Sequence, residues 1–194
     1  MVLGILKQLN WFDVVVLILL FRIGYIALRS GLPIELFKLL GTVLAIYLSL
    51  HYYTAGSDFI RSRFAADKKM PLEFLDFLVF LGLAISGYLI LVLLRSVFYR
   101  FLKLEAVDRL NKWGGFLLGI GRGVLLSGLI IFTLAISSIS YLKNSVGNSY
   151  LGIRFFKVAP NTYSWLWNNL ASKFMAQEKF NKTILEVQDS FVKK

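Results

Sequence analysis

Residues 114–126 read "GGFLLGIGRGVLL". The stretch is apolar enough to lie in a bilayer, yet it holds five glycines and one arginine. Glycine costs a helix about 1 kcal/mol relative to alanine. An ionised side chain at mid-bilayer costs a few kcal/mol on insertion scales. Both become tolerable if another helix lies against the glycine face. Gly115, Gly119, Gly123 and Ser127 fall four residues apart, hence on one face. Lipid tails are as apolar as leucine, so helices in a bilayer associate through close packing, and small residues four apart allow it. The same device recurs at Gly41, Ala45 and Ser49, and at Gly82 and Ser86 with Gly87 beside them. These residues are the expected helix-packing positions.

Working outward, the pattern is that of an all-α, polytopic membrane protein. The chain is 57% hydrophobic and 17% charged, against roughly half and a quarter in an average soluble domain. Its mean hydropathy is +0.68. Apolar runs long enough for a core of roughly 30 Å predict four transmembrane helices, at about 11–28, 34–53, 72–98 and 113–139. Together they make a transmembrane domain over residues 1–142. "RSGLP" (residues 29–33) is a turn short enough to make the first two spans an antiparallel hairpin. "TAGSDFIRSRFAADKKMP" (residues 54–71) reads as a polar, solvent-exposed loop. "FLKLEAVDRLNK" (residues 101–112) reads as a short amphipathic linker at the surface. The N-terminal "MVLGILKQLNWFD" lacks the pattern of a cleaved signal, so the first apolar segment is expected to stay as a helix.

Residues 143–194 are expected to form an interfacial tail with a C-terminal amphipathic helix. Asn161 or Thr162 is its expected N-cap after Pro160. Tyr163, Leu166, Trp167, Leu170 and Phe174 then share one face.

Four charges within spans are the candidates for burial: Asp13, Arg22, Asp76 and Arg122. They read either as a structural charge network or as the lining of an ion or substrate path. Contact between Asp76 and Arg122 would need a tilt, a water or a long reach. The one histidine, His51, reads as an interfacial polar tip beside Tyr52 and Tyr53. The absence of cysteine removes disulfides, thiolate metal sites and cysteine nucleophiles. No nucleophile elbow, phosphate loop or HExxH pattern is present. No catalytic residue, cofactor or metal is therefore expected. The net charge of +11 is read as Lys and Arg flanking spans and meeting anionic headgroups of the lipid bilayer, not as nucleic-acid binding. Its distribution leans toward both termini in the cytoplasm.

The order of these features resembles one family. An aspartate opens the first span ("WFDVVVLILL"), a basic glycine turn follows ("LRSGLPIELFKLLG"), the second span ends in paired tyrosines ("LSLHYY"), and spaced glycines with a basic residue open the fourth. Over roughly residues 10–175 the chain resembles the CvpA family, the colicin V production proteins of bacteria. That resemblance implies an inner-membrane protein of about four spans, linked to colicin V production or export and to envelope integrity. The family's entry to the fourth span, D-R-x-x-G-x-x-x-G-x-x-[KR]-G, aligns with Asn111-Lys112, Gly115, Gly119 and Arg122-Gly123. Asp becomes Asn and Arg becomes Lys here, while an Asp108-Arg109 pair sits three residues earlier: either the pair has slid by about a turn, or the acid at the motif position is dispensable. The expected role is a non-enzymatic envelope or toxin-secretion accessory, working as a homo-oligomer or with a membrane-protein partner. The alternative is an oligomeric channel or small transporter with Arg22, Asp76 and Arg122 near its path.

Overall fold

The computed structural model describes residues 10–64, 70–101, 108–175 and 177–192. Among these residues, four helices are long and apolar enough to cross a membrane. They are α1 (Trp11–Ser30), α2 (Leu32–Phe64), α3 (Leu72–Phe101) and α4 (Asp108–Ala135). The chain is thus an all-α, multi-pass membrane protein with additional helices after the last span. These are α5 (Ser140–Gly147), α6 (Tyr150–Phe156) and α7 (Val158–Leu166). α7 passes through a π-helical turn, Trp167–Ala171, into α8 (Ser172–Phe174), and α9 (Thr183–Val192) follows.

The main contacts place the spans in the order α3, α2, α4, α1, each packed chiefly on the next. α2 and α4 are therefore the inner pair. α3 turns Ile85, Leu89, Leu93 and Val97 outward, a row that water would not favour and acyl chains would.

Several boundaries differ from the sequence reading. α2 does not stop at Tyr53 but continues to Phe64, through most of the expected loop. Nothing in residues 54–64 breaks a helix. The Ser57 hydroxyl donates to the Tyr53 carbonyl at 2.9 Å, and Asp58 pairs with Arg61 one turn away at 3.5 Å. Gly56 makes room for Val79, whose Cγ1 would lie 2.8 Å from a Cβ there. A helix emerging from a membrane is as polar as a loop, so composition alone misassigned it. α4 starts earlier and ends earlier than expected, taking in residues 108–112 of the supposed linker. Residues 102–107 of that linker lie outside the described residues. In the tail, α7 begins at Val158, so neither Asn161 nor Thr162 is its N-cap. Pro160 sits in the first turn, where its missing N–H costs nothing. Thr162 instead donates to the Val158 carbonyl at 2.8 Å.

The tail and the spans share one core. Phe12, Ile46, Leu50, Phe80 and Phe132 of the spans cluster with Val146, Phe156, Tyr163 and Ile184 of the tail. Its spine is a chain of aromatic rings: Tyr53 to Phe80, Phe132, Phe156 and Phe191, with centroids 5.6, 5.5, 5.8 and 4.3 Å apart. The first three separations lie within the range for attractive ring pairs, and the last is slightly closer.

Candidate functional site

The site begins at the turn between α1 and α2. Gly31 adopts φ +81°, a conformation that L side chains rarely adopt. A Cβ there would also collide with the Asn111 side chain. The Asn111 Oδ1 accepts the Leu32 N–H at 2.7 Å, satisfying one of the orphan donors that open α2. The amide oxygen thus supplies the acceptor that the turn requires.

From this turn, α4 runs back along α1 with its glycines inward. A Cβ on Gly115 would lie 2.9 Å from the Ala27 carbonyl oxygen and from the Gly31 carbonyl carbon. One on Gly119 would overlap the Ala27 Cβ, and one on Gly123 would lie 3.0 Å from Leu20 Cδ2. All three glycines are buried. The ladder therefore meets α1 at backbone distance. Ser127 is buried as well, and its hydroxyl has no hydrogen-bond partner among the described residues. One position on, Gly128 meets the tail, with Val158 Cβ 2.8 Å from where its own Cβ would be.

The close approach leaves room for a carboxylate. Glu35, in the first turn of α2, is fully buried, its Oε2 3.7 Å from a Cβ on Gly119. Arg122 Nη2 lies 3.0 Å from Glu35 Oε2. That contact is off the hydrogen-bond line: Glu35 Oε2, like Arg122 Nε, has no directed partner among the described residues. Lys38 Nζ lies 2.6 Å from Glu35 Oε1 and donates to Ser30 Oγ at 3.1 Å. Two cations thus flank one buried carboxylate, tying α4 to the hairpin turn. Buried pairs seldom add net stability against apolar replacements, yet breaking one is costly.

The four charges singled out in the sequence do not converge. Arg122 is in this cluster, and its partner is Glu35 rather than Asp76. Asp76 lies near the opposite end of the bundle, bordering a cavity with Ala135. Ala135 is thirteen residues beyond Arg122 on α4, roughly 20 Å along a helix. Asp13 is fully buried at the foot of α1. Its carboxylate accepts from Asn10 N at 2.7 Å, Ser149 Oγ at 2.6 Å and Leu151 N at 2.7 Å. It caps its own helix and receives the first free N–H groups of α6, so its role is to bind the tail to the bundle. Arg22 is exposed on the outer face of α1, beside Ile18 and Tyr25, and has no ion pair or hydrogen bond among the described residues.

On α2, a Cβ on Gly41 would lie 3.3 Å from Leu91 and Tyr88, Ala45 is buried, and the buried Ser49 hydroxyl donates to the Ala45 carbonyl at 2.7 Å. On α3, Gly82 and Ser86 require correction. Gly82 has nothing within 4 Å of its Cβ position, and Ser86 is exposed with its hydroxyl turned to its own helix. The face of α3 that meets α2 carries Phe80, Ala84 and Gly87. At Gly87 a Cβ would lie 2.9 Å from Ala45 Cα. Small residues mark close packing only on the side where a helix has a neighbour.

His51 also departs from expectation: it is buried. Its ring stacks between Tyr47 and Trp167, at centroid distances of 5.2 and 5.1 Å. Nδ1 meets the Tyr163 hydroxyl at 2.8 Å, and Nε2 meets a Glu178 carboxylate oxygen. Tyr52 donates to Glu178 at 2.9 Å, and Asn181 N donates to the Tyr163 hydroxyl at 3.1 Å. With Nε2–H donating to the carboxylate, Nδ1 accepts from Tyr163. Burial is the main cause that pushes the Tyr163 phenol up to about 12, so it stays a neutral donor. The His51 hydrogen bond is the main cause that holds the Glu178 carboxyl below its ordinary value. Of the expected amphipathic face, Tyr163 and Trp167 are buried here. Leu166, Leu170 and Phe174 line an open apolar groove with Leu40, Leu44 and Leu91.

Sequence reading missed Glu35 as the partner of Arg122. Only the glycine-permitted crossing brings Arg122 to it. Among the described residues, no group of three or more His, Cys, Asp or Glu could hold a metal.

Comparison with known proteins adds one finding. The family model described as colicin V production protein matches residues 12–160, a range that contains the whole charge cluster and the contacts of Asp13 with residues 149–151. Neither a curated protein nor a solved structure matches the chain.

Proposed function

The chain belongs to the colicin V production protein family, and on that premise we propose that it is a non-enzymatic accessory of the bacterial inner membrane. In this reading it supports peptide-toxin production or envelope integrity by holding or assembling other membrane components. One observation carries the proposal: the fully buried intramembrane charges serve packing. Arg122 and Lys38 close on Glu35, and Asp13 closes on the tail. The residues on which a channel would depend, Arg22, Asp76 and Arg122, face three different places in the single chain.

Arg22 supports a partner within the membrane, either a second copy or another membrane protein. It lies eleven residues from Trp11 and eight from Ser30, about 16 and 12 Å along α1. A guanidinium at that depth, facing outward among Ile18, Phe21 and Tyr25, calls for a counter-charge or a long reach to headgroups.

The test is complementation in a strain lacking its own family member, reading colicin V export and detergent sensitivity, alongside ion flux in proteoliposomes. Restored export or resistance without measurable flux supports the proposal. Flux that Arg122→Ala abolishes while assembly persists would replace it with the channel reading.

A further inference from the structure

A second polar site lies at the end of the bundle opposite the charge cluster. A cavity of about 160 Å³ opens where α2 and α3 meet the tail. Tyr53, Glu73, Asp76, Lys143, Thr183 and Ser190 line its polar side.

Its depth follows from the helices. Asp76 is in the second turn of α3, and Tyr53 stands twenty-one residues beyond Leu32 on α2, about 32 Å along the helix. Trp11 at the start of α1 stacks on Tyr141 of α5, with centroids 6.2 Å apart and both rings exposed. Such aromatic pairs sit at headgroup level. The cavity therefore lies at the membrane–water boundary rather than in the hydrocarbon.

Its chemistry is two-sided. Glu73 and Asp76 offer carboxylates. Lys143 offers a cation with no ion-pair partner among the described residues. Thr183 and Ser190 offer hydroxyls. The observation that points to a ligand is Tyr53. It is 2% exposed and borders the cavity, yet its hydroxyl has no hydrogen-bond partner among the described residues. A buried hydroxyl left without a partner costs free energy, and something in the cavity would supply one.

We propose that this cavity binds a primary ammonium joined to a phosphate, the chemistry of an ethanolamine phospholipid headgroup. The ammonium has three N–H donors for the two carboxylates. The phosphate accepts from Lys143 and from the Tyr53 hydroxyl in charge-assisted hydrogen bonds. A trimethylammonium headgroup has no donor to offer and is bulkier. Free phosphoethanolamine carries the same two groups and is the soluble alternative source.

The experiment uses the full chain in detergent, with thermal unfolding and native mass spectrometry as readouts. The probes are dihexanoyl phosphatidylethanolamine, dihexanoyl phosphatidylcholine, free phosphoethanolamine, ammonium chloride and inorganic phosphate. The ethanolamine lipid is expected to stabilise and to bind at least tenfold more tightly than the choline lipid. Asp76→Asn and Lys143→Gln should each weaken it about tenfold or more, the loss expected for a charge-assisted hydrogen bond. Tyr53→Phe should weaken it while leaving the unliganded protein no less stable. Equal response to the soluble compound would assign the same chemistry to a soluble ligand. Equal binding of ethanolamine and choline lipids by the wild-type protein would overturn the proposal, and that comparison needs no variant to fold. A response to ammonium or phosphate alone equal to the full response would overturn it too, since one half of the ligand would be idle. Unaltered binding in folded Asp76→Asn or Lys143→Gln would have the same consequence.

Discussion

Removing one charge from the buried cluster should be far more damaging than removing two. Arg122 and Glu35 approach to 3.0 Å, with side chains 8% and 0% exposed. At an effective dielectric of about 20 that separation is worth about 5.5 kcal/mol of attraction. Desolvation of each ion, several kcal/mol, opposes it. The net value of the pair is therefore small, but each ion alone keeps its penalty. Arg122→Met leaves Glu35 with Lys38 as its remaining partner, so the expected loss is near the lower end of the range for broken buried pairs, about 3 kcal/mol. Glu35→Leu leaves two like charges without their shared carboxylate, and about 4–5 kcal/mol is expected. The double variant replaces the pair with apolar groups and should lie within about 2 kcal/mol of the wild type. Lys38 can remain on Ser30 or reach outward, since it is already 17% exposed. Unfolding in mixed micelles by SDS titration gives the four free energies, and with these losses the cycle gives a coupling of about 5 kcal/mol or more. Single variants that each lose under about 1 kcal/mol, or a double variant that loses the sum of the singles, would refute the electrostatic reasoning.

The remaining predictions concern other contacts. Gly87→Leu should destabilise by about 3 kcal/mol or more, because the new side chain meets the Ala45 backbone; Gly82→Leu, facing open space, should stay within about 0.5 kcal/mol, and the same titration compares them. Asp13→Asn should cost about 1–3 kcal/mol by placing amide hydrogens against the N–H groups of residues 150 and 151, read as faster trypsin cleavage after Lys143 and Arg154. Glu178 has a depressed folded-state pKa, so the stability it contributes is present above the ordinary carboxylate value of about 4.3. That contribution is lost as pH falls through the lowered value. Trp167 fluorescence in a variant lacking the other tryptophans should report the tail loosening in that acidic window, with the dependence absent in Glu178→Gln. A tail that loosens identically with and without the carboxylate would remove Glu178 from the account.

Four membrane spans, their hairpin and a tail of different character could all be read from residue order, because the length and polarity of a run answer directly to the thickness of a bilayer. The glycine spacing in α4 could also be read, since period-four smallness lies on one face whatever that face meets. The end of α2 could not, because a polar helix leaving the membrane and a polar loop have the same composition. Nor could the partner of Arg122, or the difference between Gly82 and Gly87. Those depend on which helices become neighbours and at what distance, and the order α3, α2, α4, α1 is settled by packing between residues far apart in the chain. His51 illustrates the same limit: its surroundings come from Trp167 and Glu178, more than a hundred residues away, and only the folded tail brings them to its ring.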